Sequence, residues 1–374
     1  MGPLADIRVV ELAALGPAPF CAMMLSDMGA DVLRIARKSE TSKSETSLGF
    51  SPGSSDFMAR GRRTLALDLK DAVDLEQLRQ LLRSADVVME GFRPGVMERL
   101  GIGPDVCLAE NPRLIYARMT GWGQEGPMAH LPGHDINYLA MSGTLDMMGT
   151  PKEPVFPLNL LGDFGGGGMY LAFGIVCALH ERMRSGRGQV VDAAIVDGVA
   201  SLSTFIHGLE ASGQWGAGRG GNLLDGGAPF YAIYRTSDDR HLAVGAIEPK
   251  FFANLIGKLS IIDIAPADQW KREQWPDMHR CFQKIFSTRS RDEWQAIFDG
   301  SEACVSPVLT LQEAQSDPHN RARQVFVATG GQLQAAPAPR FSRSQPEIAE
   351  ASDETIEAAI KKWARSANVE GRGT

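Results

Sequence analysis

The chain has no run of 18 or more plainly apolar residues, so its sequence offers no obvious membrane span and we expect no membrane partner. Its most apolar stretch, residues 169–179, is short and runs into His180, Glu181, Arg182 and Arg184. Cysteine is scarce, with five in 374 residues (Cys21, Cys107, Cys177, Cys281, Cys304), widely spaced and without a CxxC pair. That excludes a disulfide scaffold and a thiolate metal site, and it fits a reducing compartment. Catalytic signatures are missing too. HExxH and GxxxxGK[ST] are absent, which removes the zinc-protease and P-loop readings. The first βα loop lacks GxGxxG, and Arg34 and Arg37 stand where a dinucleotide site uses an acid. Nicotinamide and flavin chemistry is therefore disfavoured. Nor is there a basic excess: 38 basic against 45 acidic residues give a net charge of −7, which argues against a nucleic-acid partner. The opening MGPLADIRVVEL enters a strand pattern without a basic and then apolar leader, so no secretory signal is expected.

What is present is an ordinary globular composition, 44% hydrophobic and 22% charged, in a chain long enough for two or three domains. Short β-branched runs at residues 7–12, 31–35, 64–69, 87–90 and 114–118 read as strands. A loop holding Gly16, Pro17 and Pro19 leads to a helix over about residues 20–28, and Leu75, Leu78, Leu81 and Leu82 repeat at helical spacing. Repeated βα units predict an α/β fold with a doubly wound parallel sheet. Longer helical patterns follow at 163–184 and 196–212. The seven glycines of residues 213–229 read as a linker, and a hairpin at 231–247 with a helix at 249–259 opens a smaller α+β domain. The resulting plan is a large domain over residues 1–212, a linker at 213–229, a small domain at 230–322, a second linker at 323–346 and a C-terminal segment at 347–374. Residues 38–57, rich in Ser, Lys and Glu, read as a surface loop.

Three polar stretches interrupt this pattern. Gly133-His134-Asp135-Ile136-Asn137-Tyr138 follows the fifth strand, Asn159-Leu160-Leu161-Gly162-Asp163-Phe164 precedes four glycines and the long apolar helix, and Glu248 lies between a strand end and a helix start. Each has a plain structural reading. Asp163 can be the N-cap of its helix and the glycines can serve close packing. Glu248 can be a helix-start acid favoured by the dipole, and a loop histidine can be a surface residue. Each also has a chemical reading: an imidazole for proton transfer, and a carboxylate beside bare N–H groups that can receive charge on a substrate oxygen. Arg34, Arg37, Arg60, Arg62, Arg63 and Arg93 could be a solvated face or, near strand ends, forks for a phosphorylated ligand.

In these motifs the sequence resembles the α-methylacyl-CoA racemase branch of the family III CoA-transferases. The carrying segments include VVELAALGPAPFCAMMLSDMGADVLRI, MEGFRPGVMERLG, LPGHDINYLAMSG, PLNLLGDFGGGGMYLAFGI, GRGQVVDAAIVDG and VGAIEPKFF, spanning residues 7–252, with ACVSPVLTLQEA beyond. The resemblance implies a large Rossmann-like domain completed by the returning C-terminal segment, a small domain, and an interlocked homodimer. It implies a 2-methyl-branched acyl-CoA substrate whose (R) and (S) epimers interconvert by loss and return of the α-proton. His134 would be one base, supported by Glu248 of the same or the partner chain, and Asp163 the other. Arg37 and Arg93, with Arg34, Arg60 and Arg62, would contact CoA, and Asp135 and Tyr138 the substrate. No metal, nicotinamide or flavin cofactor is implied. Two departures, Ala36 where an acid is common and the polar 38–57 loop, touch the expected CoA rim only. The alternative is a CoA-transferase in which Asp163 is a nucleophile, a use that needs neither His134 nor Glu248. A non-catalytic acyl-CoA binder would need none of the three.

Overall fold

A computed structural model describes residues 2–12, 14–38 and 55–370, so residues 39–54, most of the polar 38–57 loop, lie outside the described residues. The β-branched runs pair in parallel as β1 (Arg8–Leu12), β2 (Asp31–Arg37), β3 (Arg63–Leu67), β4 (Val87–Glu90), β5 (Ile115–Thr120) and β6 (Val190–Ala194), and a short β7 (Ser352–Asp353) joins the β3 edge. The order is β7-β3-β2-β1-β4-β5-β6, all parallel. This is the doubly wound, Rossmann-like arrangement that the alternation of strands and helices requires, since parallel neighbours need crossovers and the crossover helices cover the faces. Val10, Leu33, Leu65 and Val88 are buried in one core with Leu78, Leu81 and Leu82 of the helix Ala72–Ser84. The C-terminal helix Ile356–Glu370 places Ile356, Ala359 and Trp363 in that same core, which physically returns the chain end to the first unit.

Some element bounds differ from the sequence reading. Helix α1 (Pro17–Asp27) begins at Pro17 and not near residue 20, because proline is well accommodated in a first helical turn, where its missing N–H has no partner to lose. Strand β6 went unread, its GRGQVVDAA run being short and part polar. The pattern over 196–212 breaks into Ile195–Leu202 and Thr204–Ala211 at Ser203. The helix expected from residue 163 starts earlier: Leu160–Gly168 is π-helical and Met169–Ser185 continues it as an α-helix. Together Leu160–Ser185 are long and apolar enough, by length and composition, to cross a membrane, a property the search for an unbroken apolar run did not reveal. Here this segment packs on β5, β6 and α1.

The chain divides into two units, one of Met1–Ser142, Pro157–Leu202 and Val325–Thr374, the other of Gly143–Phe156 and Ser203–Gln324. These bounds differ from the composition plan at four stretches. Residues 143–156 and 203–212 belong to the second unit. Residues 213–229 run inside it, where fully buried Asn222 ties the glycine-rich loop by donating to Gly218 and Asp225 and accepting from Ala217. Residues 323–346 include an antiparallel hairpin, Phe326–Thr329 with Gln332–Ala335. The second unit is α+β: antiparallel strands Tyr231–Arg235, His241–Gly245 and Val305–Pro307 under helices that bury Phe252, Trp275, Phe282, Phe286 and Trp294.

Candidate active site

In a doubly wound sheet the loops after two adjacent strands leave in opposite directions at the point where the order reverses, and a crevice opens there. Here that point lies between β1 and β4. Gly16, in the loop after β1, has φ 73°, a left-handed conformation that suits glycine. A side chain on Gly91, after β4, would stand 2.9 Å from the Ala14 methyl, so the two loops approach closely only because residue 91 is glycine. Between them lies a cavity of about 870 Å³ lined by Gly16, Arg34, Met58, Arg93, His134, Tyr138, Asn159 and Asp163, among others.

His134 is the N-cap residue of the helix Asp135–Met141. The Asn137 side chain accepts the His134 backbone N–H at 3.0 Å, fixing the backbone from which the imidazole projects. Tyr138, one turn on, is buried edge-on against Trp122 at 4.7 Å, and burial pushes its phenol up to about 12. Asp163 sits in the first turn of the π-helical segment, half-buried, with a carboxylate oxygen accepting from Asn159 at 3.3 Å. Such wide turns put the backbone where an α-helix would not, and they occur often at functional sites. Burial raises the Asp163 carboxyl above its ordinary range. The Asn159 hydrogen bond and the nearby His134 work against that rise, and the neighbouring Asp135 adds to it.

Asp163 is not the N-cap of its helix. Its own N–H donates to the Asp135 carboxylate at 2.7 Å, so it is not one of the bare N–H groups open to a substrate oxygen. The glycines have the plain packing role: a side chain on Gly198 would stand 1.9 Å from the Gly166 carbonyl oxygen, and side chains on Gly167 and Gly168 would stand 2.9 and 2.8 Å from Pro17. Gly162 matters differently, since an added Cβ would lie 2.2 Å from the Asp135 carboxylate. Gly162→Ala is expected to destabilise this unit by about 1–3 kcal/mol, as overpacking does in a closely packed site. An unchanged urea midpoint would show that the contact yields freely.

The arginines divide into two groups. Arg34 and Arg93 line the cavity, and Arg37 is exposed at the end of β2 outside the lining. Arg60 is buried and fully engaged with Asp27, Gln334 and Ala335, which removes it from the set available for phosphate. Arg62 reaches the cavity wall, yet its guanidinium is held by Glu11 and the Met58 carbonyl. The fold already engages every nitrogen of the Arg60 guanidinium and both terminal nitrogens of Arg62, so these two are less open to a CoA phosphate than Arg34 and Arg93. Asp135 also departs from expectation, turning to the Asp163 backbone and not to the cavity. Glu248 occupies the N-cap position of the helix Pro249–Lys258 of the second unit without a side-chain capping bond, and is exposed.

Two participants escaped the sequence reading. Asn159 lay outside the helix as first drawn, although the four-residue spacing to Asp163 is the signal for side chains on one helical face. Glu11, an acid at the end of the apolar run VVEL, stands opposite Arg34 in the parallel ladder and is fully buried. A charge in such a run must be paired, and that was the available clue.

With this geometry established, comparison with known proteins is informative. The family model described as CoA-transferase family III matches residues 4–358. Alpha-methylacyl-CoA racemase of Mus musculus is 48% identical over 343 residues, covering 91% of this chain and 87% of the relative. The Homo sapiens alpha-methylacyl-CoA racemase is 45% identical over 368 residues, covering 95% and 92%. Among solved structures, a CAIB/BAIF family protein from Brucella suis shares the fold with a TM-score of 0.80 at 24% identity, covering 98% of this chain and 99% of that one.

Proposed function

We propose that this chain, which belongs to CoA-transferase family III, is an α-methylacyl-CoA racemase, an isomerase that interconverts (R)- and (S)-2-methylacyl-CoA thioesters through an enolate. The observation that carries this reading is that an imidazole, His134, and a carboxyl, Asp163, line one cavity at the switch point of the sheet. Inversion at the α-carbon needs a proton to leave one face and another to arrive on the opposite face. One base must therefore be empty while the other is loaded. When His134 removes the proton, Asp163 must deliver one, and a carboxyl raised by burial holds a proton more readily than an ordinary one. In the other direction the roles exchange. The two groups suffice for the proton transfers, so the reading requires no metal, nicotinamide or flavin.

Arg93 and Arg34 are the cavity-side cations for the CoA phosphates, with Arg37 further out along β2. Glu248 would hold the imidazole of His134 in one tautomer, from its own chain or from a second copy. A homodimer is supported by the apolar face of Met169–Ser185, where Met169, Phe173, Val176 and Met183 recur at helical spacing and are exposed. Glu248→Ala is expected to lower kcat on the order of tenfold, less than loss of His134, as a support group does. A variant indistinguishable from the parent removes Glu248 from the site.

The deciding experiment incubates one epimer of a 2-methylacyl-CoA with the protein in D₂O, without an acceptor acid, and follows C2 by NMR. Deuterium uptake with loss of stereochemical purity is the expected result. No exchange, together with hydroxylamine capture of an acyl group at Asp163 when carboxylates are added, would overturn it in favour of CoA transfer.

A further inference from the structure

We infer that Asp135 is a positioning residue that fixes the separation of the two proton-transfer groups, its carboxylate clasping the backbone of one while its own backbone adjoins the other. This rests on the racemase reading and adds to it a residue whose side chain serves the backbone and is not among those lining the cavity. Asp135 follows His134 directly and is the first residue of its helix. One carboxylate oxygen accepts the Asp163 N–H at 2.7 Å, and the missing side chain of Gly162 is what admits it. The Gly162 N–H also favours this carboxylate, and the second oxygen is buried without a well-aligned hydrogen bond of its own. His134 in turn is tied to Asn137 through its backbone. A single side chain thus connects the two residues that must stand on opposite faces of a planar enolate, where a misplacement of about 1 Å can cost a hundredfold in rate.

Holding a backbone N–H needs only a neutral acceptor such as Asn or Ser, at less desolvation cost than a buried carboxylate whose second oxygen lacks a well-aligned bond. The carboxylate adds negative charge beside Asp163, favouring the protonated form of that group and making it a stronger base when empty. The other titratable groups of this helix that face Asp163 are His134 and Tyr138. The charged residues on the remaining elements packed against the π-helical segment are directed elsewhere. On α1, Asp27 pairs with Arg60; on β5, Arg118 pairs with Glu90 and Glu98; on β6, Asp192 accepts from the Gln124 backbone and feels Asp197 of Ile195–Leu202.

The test compares Asp135→Ala and Asp135→Asn with the parent in two ways. Hydrogen exchange at the Asp163 amide reads the clasp without reference to catalysis. Protection is expected to fall at least tenfold in Asp135→Ala and to be largely kept in Asp135→Asn, whose carbonyl can still accept. Racemisation of a 2-methylacyl-CoA reads the consequence. Asp135→Ala is expected to lose 10- to 100-fold in kcat with little change in KM, and Asp135→Asn to recover most of that loss. In Asp135→Asn, measured with the epimer whose proton Asp163 removes, the acid limb of kcat/KM should move to lower pH, because removing the neighbouring charge lets Asp163 ionise more readily. Equal protection in Asp135→Ala and parent overturns the clasp. Unaltered kcat in Asp135→Ala, or an unmoved acid limb in Asp135→Asn, overturns its catalytic role. A parent protein that exchanges no α-proton overturns the racemase reading, and the amide measurement still decides the clasp.

Discussion

Asp163→Asn is expected to lower racemisation by a factor on the order of 10² or more, the usual worth of a positioned acid or base. The loss should not be uniform in kind. With Asp163 disabled, His134 can still remove the α-proton of the epimer that faces it and return deuterium to the same face. That epimer should exchange in D₂O with retention of configuration, and the other should not exchange. His134→Ala should show the mirror image, with exchange confined to the opposite epimer. NMR at C2 of each pure epimer measures this directly. Equal exchange of both epimers by either variant would rule out the assignment of one base to each face.

The same substitution has a predicted structural sign. The Asp163 carboxyl is raised above its ordinary range, chiefly by burial. The folded state therefore holds the proton more tightly than the unfolded chain does. Its contribution to stability is fully present below the unfolded pKa and is lost as pH rises through the folded one. Above the ordinary carboxyl range a group raised on folding subtracts from stability, so Asp163→Asn, which cannot ionise, is expected to raise Tm at pH 7 while destroying activity. A lower Tm at pH 7 would contradict this. The side chain is half-buried and partly solvated, so the gain should be small.

Arg62→Ala carries the largest expected effect on stability. Arg62 is 2% exposed and Glu11 is fully buried, and the guanidinium meets both carboxylate oxygens at 2.6 Å. Burial drives the Glu11 carboxyl upward, with a small addition from Asp56, and Arg62 is the main opposing influence, with Arg34 a weaker one. Removing Arg62 leaves a charge inside the sheet without its partner, at a cost of about 3–5 kcal/mol. The loss should shrink with falling pH, because Glu11 is raised in the folded state and takes up a proton as pH drops through that raised value. Urea unfolding at pH 7 and pH 5 measures both parts. A double change, Glu11→Gln with Arg62→Met, should recover much of the loss, since a matched apolar or neutral pair needs no compensating charge. If the single and double variants were equally unstable, the pair would be holding the cavity wall by shape and not by charge.

Much of this was legible in the chain itself. The strand runs were β-branched, short and bounded by turn residues, and their alternation with helical spacing leaves few arrangements other than a parallel sheet. Val87–Glu90 matches its observed strand to the residue because nothing in it suits any other state. His134 and Asp163 could be named as candidates, since a histidine at a helix entry and an acid before four glycines are uncommon company. Resemblance to a known branch supplied their pairing, which composition could not.

The sequence by itself determined most of the strands and helices of the parallel sheet, and which residues could carry chemistry, because local spacing and side-chain type are properties of the chain. Only the tertiary structure decided how those side chains are used. Arg34 and Arg93 reach the cavity while the guanidinium groups of Arg60 and Arg62 are engaged by the fold, and all four look alike in the sequence. Asp135 and Asp163 are 28 residues apart, yet one carboxylate takes the other's N–H. Such choices depend on which buried partner a charged group meets, and burying a charge is too costly to be left unpaired. That partner comes from another part of the chain, so no local pattern records it.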